Sequence, residues 1–518
     1  MSDSDAGPPR LSAAYAALAG VLALAAALAA GHLVAAFVGR GASPYLAVGN
    51  SAVDLSPPWL KDWAIRTLGT ADKLVLLSGM AVVLVMLAVA AGLLSRRSSL
   101  AGSIVVLVLA VVGGAAVFTR PDLGQLALLA PTASLLAGLA TFRWLHARGL
   151  RAAEAPALSS ADRRQFLIGA GVVAVGAGVA GLAGQLIGTT RDAEGSRVAV
   201  GPLNPVRTAP PIPADADFAK LGTPTFLTRN ADFYRIDTAL VVPQVRAEDW
   251  RLRIHGMVER ELNLSYADIR SRPLVERTIT LCCVSNEVGG PLISTAEFVG
   301  VDLARLLGEA GVRPGAQQLF STSADGWTCG TPVEVVLEPG RGALLALGMN
   351  GEPLPLEHGF PARMIVPGLY GYVSATKWVT DLELTSWEAR SAYWLRRGWA
   401  REAPVKTQSR IDSPKGFATV PAGRVVVAGI AWAQHTGIEK VEVRLDNGAW
   451  QEAELSTVVN EDTWRMWQLA VDVTQPGTHQ LTCRATDRSG YTQTEQRAPV
   501  VPDGATGWHS VVFTIATG

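Results

Sequence analysis

Five stretches of this chain carry no Asp, Glu, Lys or Arg over at least 20 residues: 11–39, Leu74–Leu94, Ser99–Phe118, Leu123–Phe142 and Leu167–Gly188. A helix of about 20 residues is roughly 30 Å long, the thickness of a bilayer's hydrocarbon core. A backbone in lipid must satisfy its own hydrogen bonds, so such stretches fold as spanning helices. The chain is 518 residues long and 49% hydrophobic, which leaves room for further domains beyond a membrane part. Between the stretches lie the short Ser95-Arg96-Arg97-Ser98 link and a basic run holding Arg143, Arg148, Arg151, Arg163 and Arg164. Positive charge marks the cytoplasmic side, so the N-terminus is expected inside and everything after Gly188 outside. His32 falls near the outer end of the first stretch and His146 beyond the inner end of the fourth. Those are opposite depths, and two axial haem ligands are not expected there.

Residues 1–190 hold 13 Lys/Arg and 8 Asp/Glu out of totals of 45 and 45, net +5; residues 191–518 therefore hold 32 and 37, net −5. A mildly acidic extramembrane part offers no footprint for nucleic acid. The four cysteines show no paired spacing and no CxxCH, so neither a disulfide framework, a zinc site nor a covalent haem is expected. No flavin motif is evident either. Asp162-Arg163-Arg164-Gln165-Phe166-Leu167, ahead of a Gly/Ala-rich apolar run, resembles a twin-arginine export signal retained as an anchor. Residues 191–222 are rich in Pro, Ala, Asp and Gly without a hydrophobic period and read as a linker.

The chemistry centres on Thr278 to Gly290, TITLCCVSNEVGG. A β-rich run delivers two adjacent cysteines to a polar turn and two glycines. Strand side chains alternate in direction, so only one cysteine faces a shared site. An isolated pair would as readily be two buried core thiols. The Leu-x-Cys-x-x-Asn pattern, however, resembles the molybdenum-ligand segment of the sulfite oxidase family of molybdopterin enzymes. In that register Cys283 is the ligand and Cys282 its structural neighbour.

Other segments carry the same resemblance. Phe226, Thr228, Arg229 and Asn230 fall in a Phe-x-x-Arg-Asn run that helps hold the pterin in the family; Arg229 alone would read as a surface ion pair. Asp325 and Trp327 precede Pro332, where sulfite oxidases place a tyrosine at the position of Trp327. Trp shapes a pocket but is no phenolic proton donor. The run from Met349 through Pro355, His358-Gly359-Phe360-Pro361 and Arg363 to Lys377-Trp378 is the longest match. His358, Arg363 and Lys377 there are candidates for the pterin's hydrogen bonds and phosphate, the guanidinium as a fork and the ammonium as a point charge. Each, singly, also suits a structural ion pair. Arg396 and Arg397 sit where the family has its substrate entrance and serve equally as a solvated pair.

From Ile411 onward short alternating strands take over, with Asn447-Gly448 expected as a type I′ hairpin turn. A sandwich of about 100 residues, Ig-like, is the expectation, and the resemblance makes it the family's dimerisation-type domain, implying a homodimer.

The chain thus reads as multi-domain. Transmembrane helices occupy 1–190 and the linker 191–222. An α+β sulfite-oxidase-type molybdopterin domain spans 223–404, and an Ig-like β-sandwich 405–518. The resemblance implies oxygen-atom transfer at molybdenum held by one pterin and Cys283, on a small molecule. Electrons would pass to a separate carrier, a cytochrome or quinone system. Where family members commonly follow the ligand segment with arginines, this chain has Glu287 and Val288. That change, with Trp327, favours a neutral S-oxo or N-oxo compound over sulfite; true sulfite oxidation is the alternative. A non-enzymatic membrane scaffold, or a redox sensor using the vicinal cysteines, is the reading from another class.

Overall fold

The structure is a computed structural model. It describes residues 10–516 apart from 58–59, 61–62, 65–66, 69–70, 121–122, 155–159 and 190–192. The expected junction at 190/191 lies outside the described residues. Two compact units divide the chain: residues up to 192 with Thr238–Val242, and Ala193–Asp237 with Pro243–Gly518.

The first unit is helical: α1 (Ala13–Val38), α2 (Pro44–Leu55), α3 (Asp72–Leu94), α4 (Leu100–Phe118), α5 (Leu129–Glu154) and α6 (Ser160–Thr189). Among the described residues, five apolar segments are long enough to cross a membrane, one each on α1, α3, α4, α5 and α6. Each overlaps one of the five uncharged stretches, the one on α5 running beyond Phe142 to Arg151. Helix α2, started by Pro44 at its first turn, is an addition that the charge pattern did not mark. α3 and α4 leave Val82, Val83, Met86, Ile104 and Val111 exposed, the surface a lipid-facing helix presents. Helix pairing relies on small residues. A Cβ on Gly20 of α1 would lie 2.0 Å from the Ala88 carbonyl oxygen, and one on Gly92 of α3 would lie 2.0 Å from that of Ala16. In lipid, close backbone approach replaces the hydrophobic drive that packs helices in water. The turn after α3 is held by His146, whose Nε2 donates to the Ser95 carbonyl at 2.6 Å, and by Arg96, which donates to the Leu11 carbonyl at 2.9 Å.

The second unit opens with a short helix, α7 (Ala193–Val200), inside the stretch expected as a linker. Ala193 and Val200 are buried and Ala216 is fully so. Arg197 pairs with Glu352 at 3.1 Å, and the Val206 amide donates to the Leu274 carbonyl. Val200 and Ala216 thus join the core of this unit, and the buried residues of α7 lie on one face of the helix.

Two sheets follow. One is built from β1 (Arg251–Gly256), β2 (Leu262–Ser265), β5 (Gln318–Ser323), β6 (Thr328–Pro332) and β10 (Val379–Thr385), in the order β2-β1-β10-β5-β6. The other takes β3 (Val275–Cys282), β4 (Ile293–Asp302), β7 (Leu344–Met349) and β8 (Glu352–Pro353) in chain order, with β9 (Arg363–Ile365) beside β7. Strands β1 and β10 run parallel. In β1 burial alternates as the Arg-Leu-Arg-Ile pattern requires. β3 and β4 form a hairpin of eight paired residues, and β4 pairs β7. The near-continuous apolar runs of β4 and β7 make them central strands, buried on both faces. Phe298, fully buried on β4, meets Phe233 edge-on at 6.2 Å. Phe298→Ala should destabilise the protein by about 3–5 kcal/mol, read as a lower unfolding midpoint of the detergent-purified protein; an unchanged midpoint would place this core elsewhere.

Two more sheets complete the unit. The first joins β11 (Gln408–Ser413), β13 (Gly423–Trp432), β17 (Arg465–Val473) and β16 (Glu454–Leu455), in that order. The second joins β12 (Thr419–Val420), β19 (His509–Ile515), β18 (Gly477–Asp487), β14 (Ile438–Leu445) and β15 (Gln451–Glu452). They share a core with Trp467, Val441 and Phe513. The turn after β14 differs from the expected one. Positive φ falls on Asp446 (53°), not on Asn447 or Gly448. Asp446 takes that conformation because its carboxylate accepts from the Gln480 amide at 2.8 Å and from His479 at 2.9 Å. The C-terminal sheets also grip β3. The Asp462 carbonyl accepts from the Thr280 amide, the Trp464 amide donates to the Thr280 hydroxyl at 2.8 Å, and Gln434 donates to the Thr280 carbonyl at 3.3 Å.

Candidate active site

Cys282 ends β3 and is buried; Cys283 is the first residue past the strand and is only half-buried. The turn that follows is built on Cys283. Its amide donates to the Leu292 carbonyl, and its carbonyl accepts from the Asn286 amide, both at 3.0 Å. The Asn286 side chain then accepts from the Leu292 amide at 2.8 Å, closing the loop. Glu287, at the turn's tip, is exposed. Burial raises the Cys283 thiol's pKa, while hydrogen bonds from Ser285 and the Lys377 cation pull it back. Cys282 is pushed up further, by burial and then by its neighbour.

Four of the residues singled out in the sequence converge in one region. His358 Nε2 donates to the Asn230 carbonyl at 2.8 Å, and Arg363 donates to the His358 carbonyl at 3.2 Å. Lys377 pairs with Asp237 at 2.9 Å and donates to the Glu357 carbonyl at 3.0 Å. Burial lowers His358 to about 4, so its imidazole is neutral at pH 7. Burial also brings Lys377 down to about 8 against the pull of Asp237, and Arg363 to about 10. The Asn230 side chain accepts from Asn350 at 2.8 Å and donates to Glu352. Asn350, at φ 50°, donates also to the Thr228 carbonyl at 2.9 Å. The family-like segments around Asn230 and Asn350 thus fold into one cradle.

Arg363 is 5% exposed, and among the described residues no carboxylate lies within ion-pair distance of it. Its Nε and the Asn286 Nδ2 are buried and lack a hydrogen-bond partner among those residues. A buried guanidinium normally comes with an anion. The residues present therefore fit an anionic, polar group such as a pterin phosphate.

The remaining candidates sit elsewhere. Phe226 is a core residue whose carbonyl accepts from Trp464 at 3.1 Å. Arg229 has an 82% exposed side chain paired with Asp232 at 2.6 Å. Asp325 and Trp327 occupy the β5–β6 hairpin, where the Asp325 carboxylate accepts from the Trp327 amide at 3.3 Å. That hairpin is tied to the Arg396–Arg397 turn through the Tyr393 amide, which donates to Thr328. Arg397 stacks over Tyr393 at 3.6 Å, and Arg396 is exposed and donates to the Ser391 carbonyl.

Two tyrosines carry no mark in the sequence. Burial, then Cys283 and Cys282, raise Tyr234, while Arg363 opposes them. Tyr370 is raised by burial and by the same two thiols. Gly371 stands between Tyr234 and the cysteine turn, its Cβ position 4.0 Å from both the Tyr234 hydroxyl and the Cys282 carbonyl. Tyr234 lies four residues past Asn230, and that adjacency was the one available signal.

Comparison with known proteins bears on the same region. Residues 239–394 match the family of the oxidoreductase molybdopterin binding domain, and residues 401–515 that of the Mo-co oxidoreductase dimerisation domain. Mitochondrial sulfite oxidase of Rattus norvegicus is 31% identical over 328 residues, 54% of this chain and 60% of the rat protein. Sulfite oxidase of Gallus gallus is 31% identical over 330 residues, 54% of this chain and 71% of the chicken protein. The chain therefore spans about 60% of the length of its mammalian relatives. The crystal structure of the sulfane dehydrogenase SoxCD from Paracoccus pantotrophus superposes with a TM-score of 0.50 and 26% identity, covering 57% of this chain and 85% of that one.

Proposed function

This chain belongs to the sulfite oxidase family of molybdopterin-binding oxidoreductases, and from that premise we propose that it is a membrane-anchored enzyme for oxygen-atom transfer on a small, neutral S-oxo or N-oxo compound. When bound, the molybdenum–molybdopterin group supplies the two-electron chemistry. Cys283 holds the metal with a soft thiolate. Asn230, His358, Arg363 and Lys377 hold the pterin and its phosphate, and Trp327 shapes the substrate pocket. The single observation carrying this reading is the partly exposed Cys283 in a fold that also holds a buried Arg363 without a carboxylate partner among the described residues. Metal and pterin analysis of the purified protein tests it: near-stoichiometric molybdenum is expected, and its absence would remove the enzyme reading in favour of a scaffold or sensor.

The substrate class rests on charge. Glu287 stands in the turn after Cys283, where a dianion would meet repulsion. Because Glu287 is exposed, the effect of reversing it is modest. Glu287→Arg should raise kcat/KM for sulfite by roughly tenfold, equivalent to about 1.4 kcal/mol, while sulfoxide turnover with dye mediators stays within about twofold. Efficient oxidation of micromolar sulfite by the wild-type protein would favour the second reading, true sulfite oxidation, to which the 31% identity with chicken sulfite oxidase lends weight.

The domain plan proposed is that of the sequence: membrane helices to 190, a connection to 222, the molybdopterin domain to 404 and an Ig-like sandwich to 518 that pairs two copies. The anchor lies in the cell membrane with the catalytic part outside, and a cytochrome or quinone exchanges electrons with it. Arg163 and Arg164 lie at the start of α6. Replacing both by Lys should block export of the catalytic domain. Protease protection of that domain in intact wild-type spheroplasts would reverse the topology.

A further inference from the structure

The turn that carries Cys283 is held from outside its own sheet. Arg410, on β11, donates from Nη1 to the Gly290 carbonyl at 2.7 Å. The same guanidinium pairs through Nε with Asp412 at 3.0 Å, and the two side chains are 9% and 8% exposed. The Gly290 amide donates back to the Glu287 carbonyl at 2.8 Å, and the Asn286 amide to that of Cys283. One short chain of bonds thus runs from Arg410 to the cysteine.

A second contact works beside it. The Ile411 amide gives its hydrogen bond to His509 Nδ1 at 3.0 Å. That sets the imidazole against Gly289, where any Cβ would lie 2.2 Å from the ring. Gly289 has φ 81°, so only glycine fits both the turn and the ring. The β11–β13 ladder shifts register between Ile411 and Ser413, leaving Asp412 as the extra residue. Bulges of this kind re-aim side chains. The Asp412 carboxylate at this bulge lies on Arg410, while its buried Oδ2 lacks a hydrogen-bond partner among the described residues. A buried ion pair is a poor stabiliser, and its better-attested use is to fix one arrangement.

We propose that Arg410, oriented by Asp412 and seconded by His509, is a positioning residue that sets the Cys283 turn from the C-terminal domain. The proposal rests on Cys283 being the molybdenum ligand. Arg410 touches neither substrate nor metal; it fixes where the thiolate stands. Displacing a reacting centre by about 1 Å costs on the order of 100-fold in rate.

Arg410→Met alone leaves Asp412 buried and uncompensated and would misfold for that reason. The informative variant is the double Arg410→Met/Asp412→Asn, which removes both charges together. The full-length, detergent-purified holoprotein is compared with wild type by molybdenum content, unfolding midpoint, visible absorption of the metal–thiolate bands, and kcat and KM. The expected result is unchanged metal content and midpoint, shifted absorption bands, and a kcat lower by roughly 10- to 100-fold at nearly constant KM. The single variant Arg410→Lys, which keeps a donor and the charge opposite Asp412, should retain a larger share of the rate than the double variant does. Wild-type bands and kcat in the double variant would overturn the positioning role. A wild-type protein without molybdenum would instead overturn the underlying assignment of Cys283, so the two failures are distinguishable.

Discussion

Cys283→Ser is expected to abolish turnover, with kcat/KM falling by well over about 100-fold, the loss that removal of a partner one shell further out already produces at metal sites. Cys282→Ser should remain active. The two thiols are adjacent in sequence but differ in setting: Cys282 is 2% exposed at the end of β3, while Cys283 emerges half-buried beyond it. Burial is the largest influence at both thiols and raises both; at Cys283 hydrogen bonds from Ser285 and the Lys377 cation oppose it. At Cys282 the neighbouring Cys283 adds to burial and pushes the thiol further up, against Asn286 and Arg410. A hydroxyl in that apolar position should cost about 1–3 kcal/mol of stability, not activity. Metal content and turnover of the two variants are the measurements; an inactive Cys282→Ser beside an active Cys283→Ser would reverse the register.

Arg363→Met should separate stability from cofactor retention. The guanidinium is buried and lacks a carboxylate partner among the described residues, and its Nε hydrogen-bonds to nothing there. In the apoprotein this charge is a burden, which is why burial draws its pKa down to about 10. A side chain of similar length without charge relieves that burden, so the apoprotein's unfolding midpoint should stay level or rise. A bound phosphate, by contrast, loses charge-assisted bonds worth about 1.5–3 kcal/mol each. With two such bonds the cofactor's dissociation constant should rise by roughly 100-fold or more. Pterin content after gel filtration reads this directly. Undiminished pterin in the variant would mean that Arg363 serves some other anion.

What is legible in the sequence is what is local. Absence of charge over 20 residues is a property of a window, so the existence of α1, α3, α4, α5 and α6 is legible from it, while the charged ends of α5 (to Glu154) and α6 (from Ser160) are not. Alternation likewise discloses β1, β14 and β18. The cradle of Asn230, His358 and Arg363 is legible through resemblance, because the segments are long and retain their turn-forming Gly and Pro. α7 escapes such a reading because two turns are too short for a period to stand out, although its buried Ala193, Ser196 and Val200 fall on one face. The turn after β14 departs from its local signal. Asn447-Gly448 is the stronger turn sequence, but two distant donors, His479 and Gln480, hold Asp446 in the left-handed region. Arg229 matches a motif yet faces solvent, since Asp232 three residues on competes for it. Arg410 and Tyr234 are silent in the sequence: their meaning comes from contacts that span 120 residues in one case and separate segments in the other.

The grip on Thr280 has a consequence for the order of events in the cell. Its carbonyl and hydroxyl are met by Gln434 and Trp464, which lie 154 and 184 residues further along. A ribosome delivers β3 long before it delivers those partners. Domains tend to fold as they emerge, but these bonds to β3 form only once the last sheets have been made. The C-terminal sheets thus complete the strand that leads to Cys283: a chain cut before them would leave the Thr280 amide, carbonyl and hydroxyl without these partners.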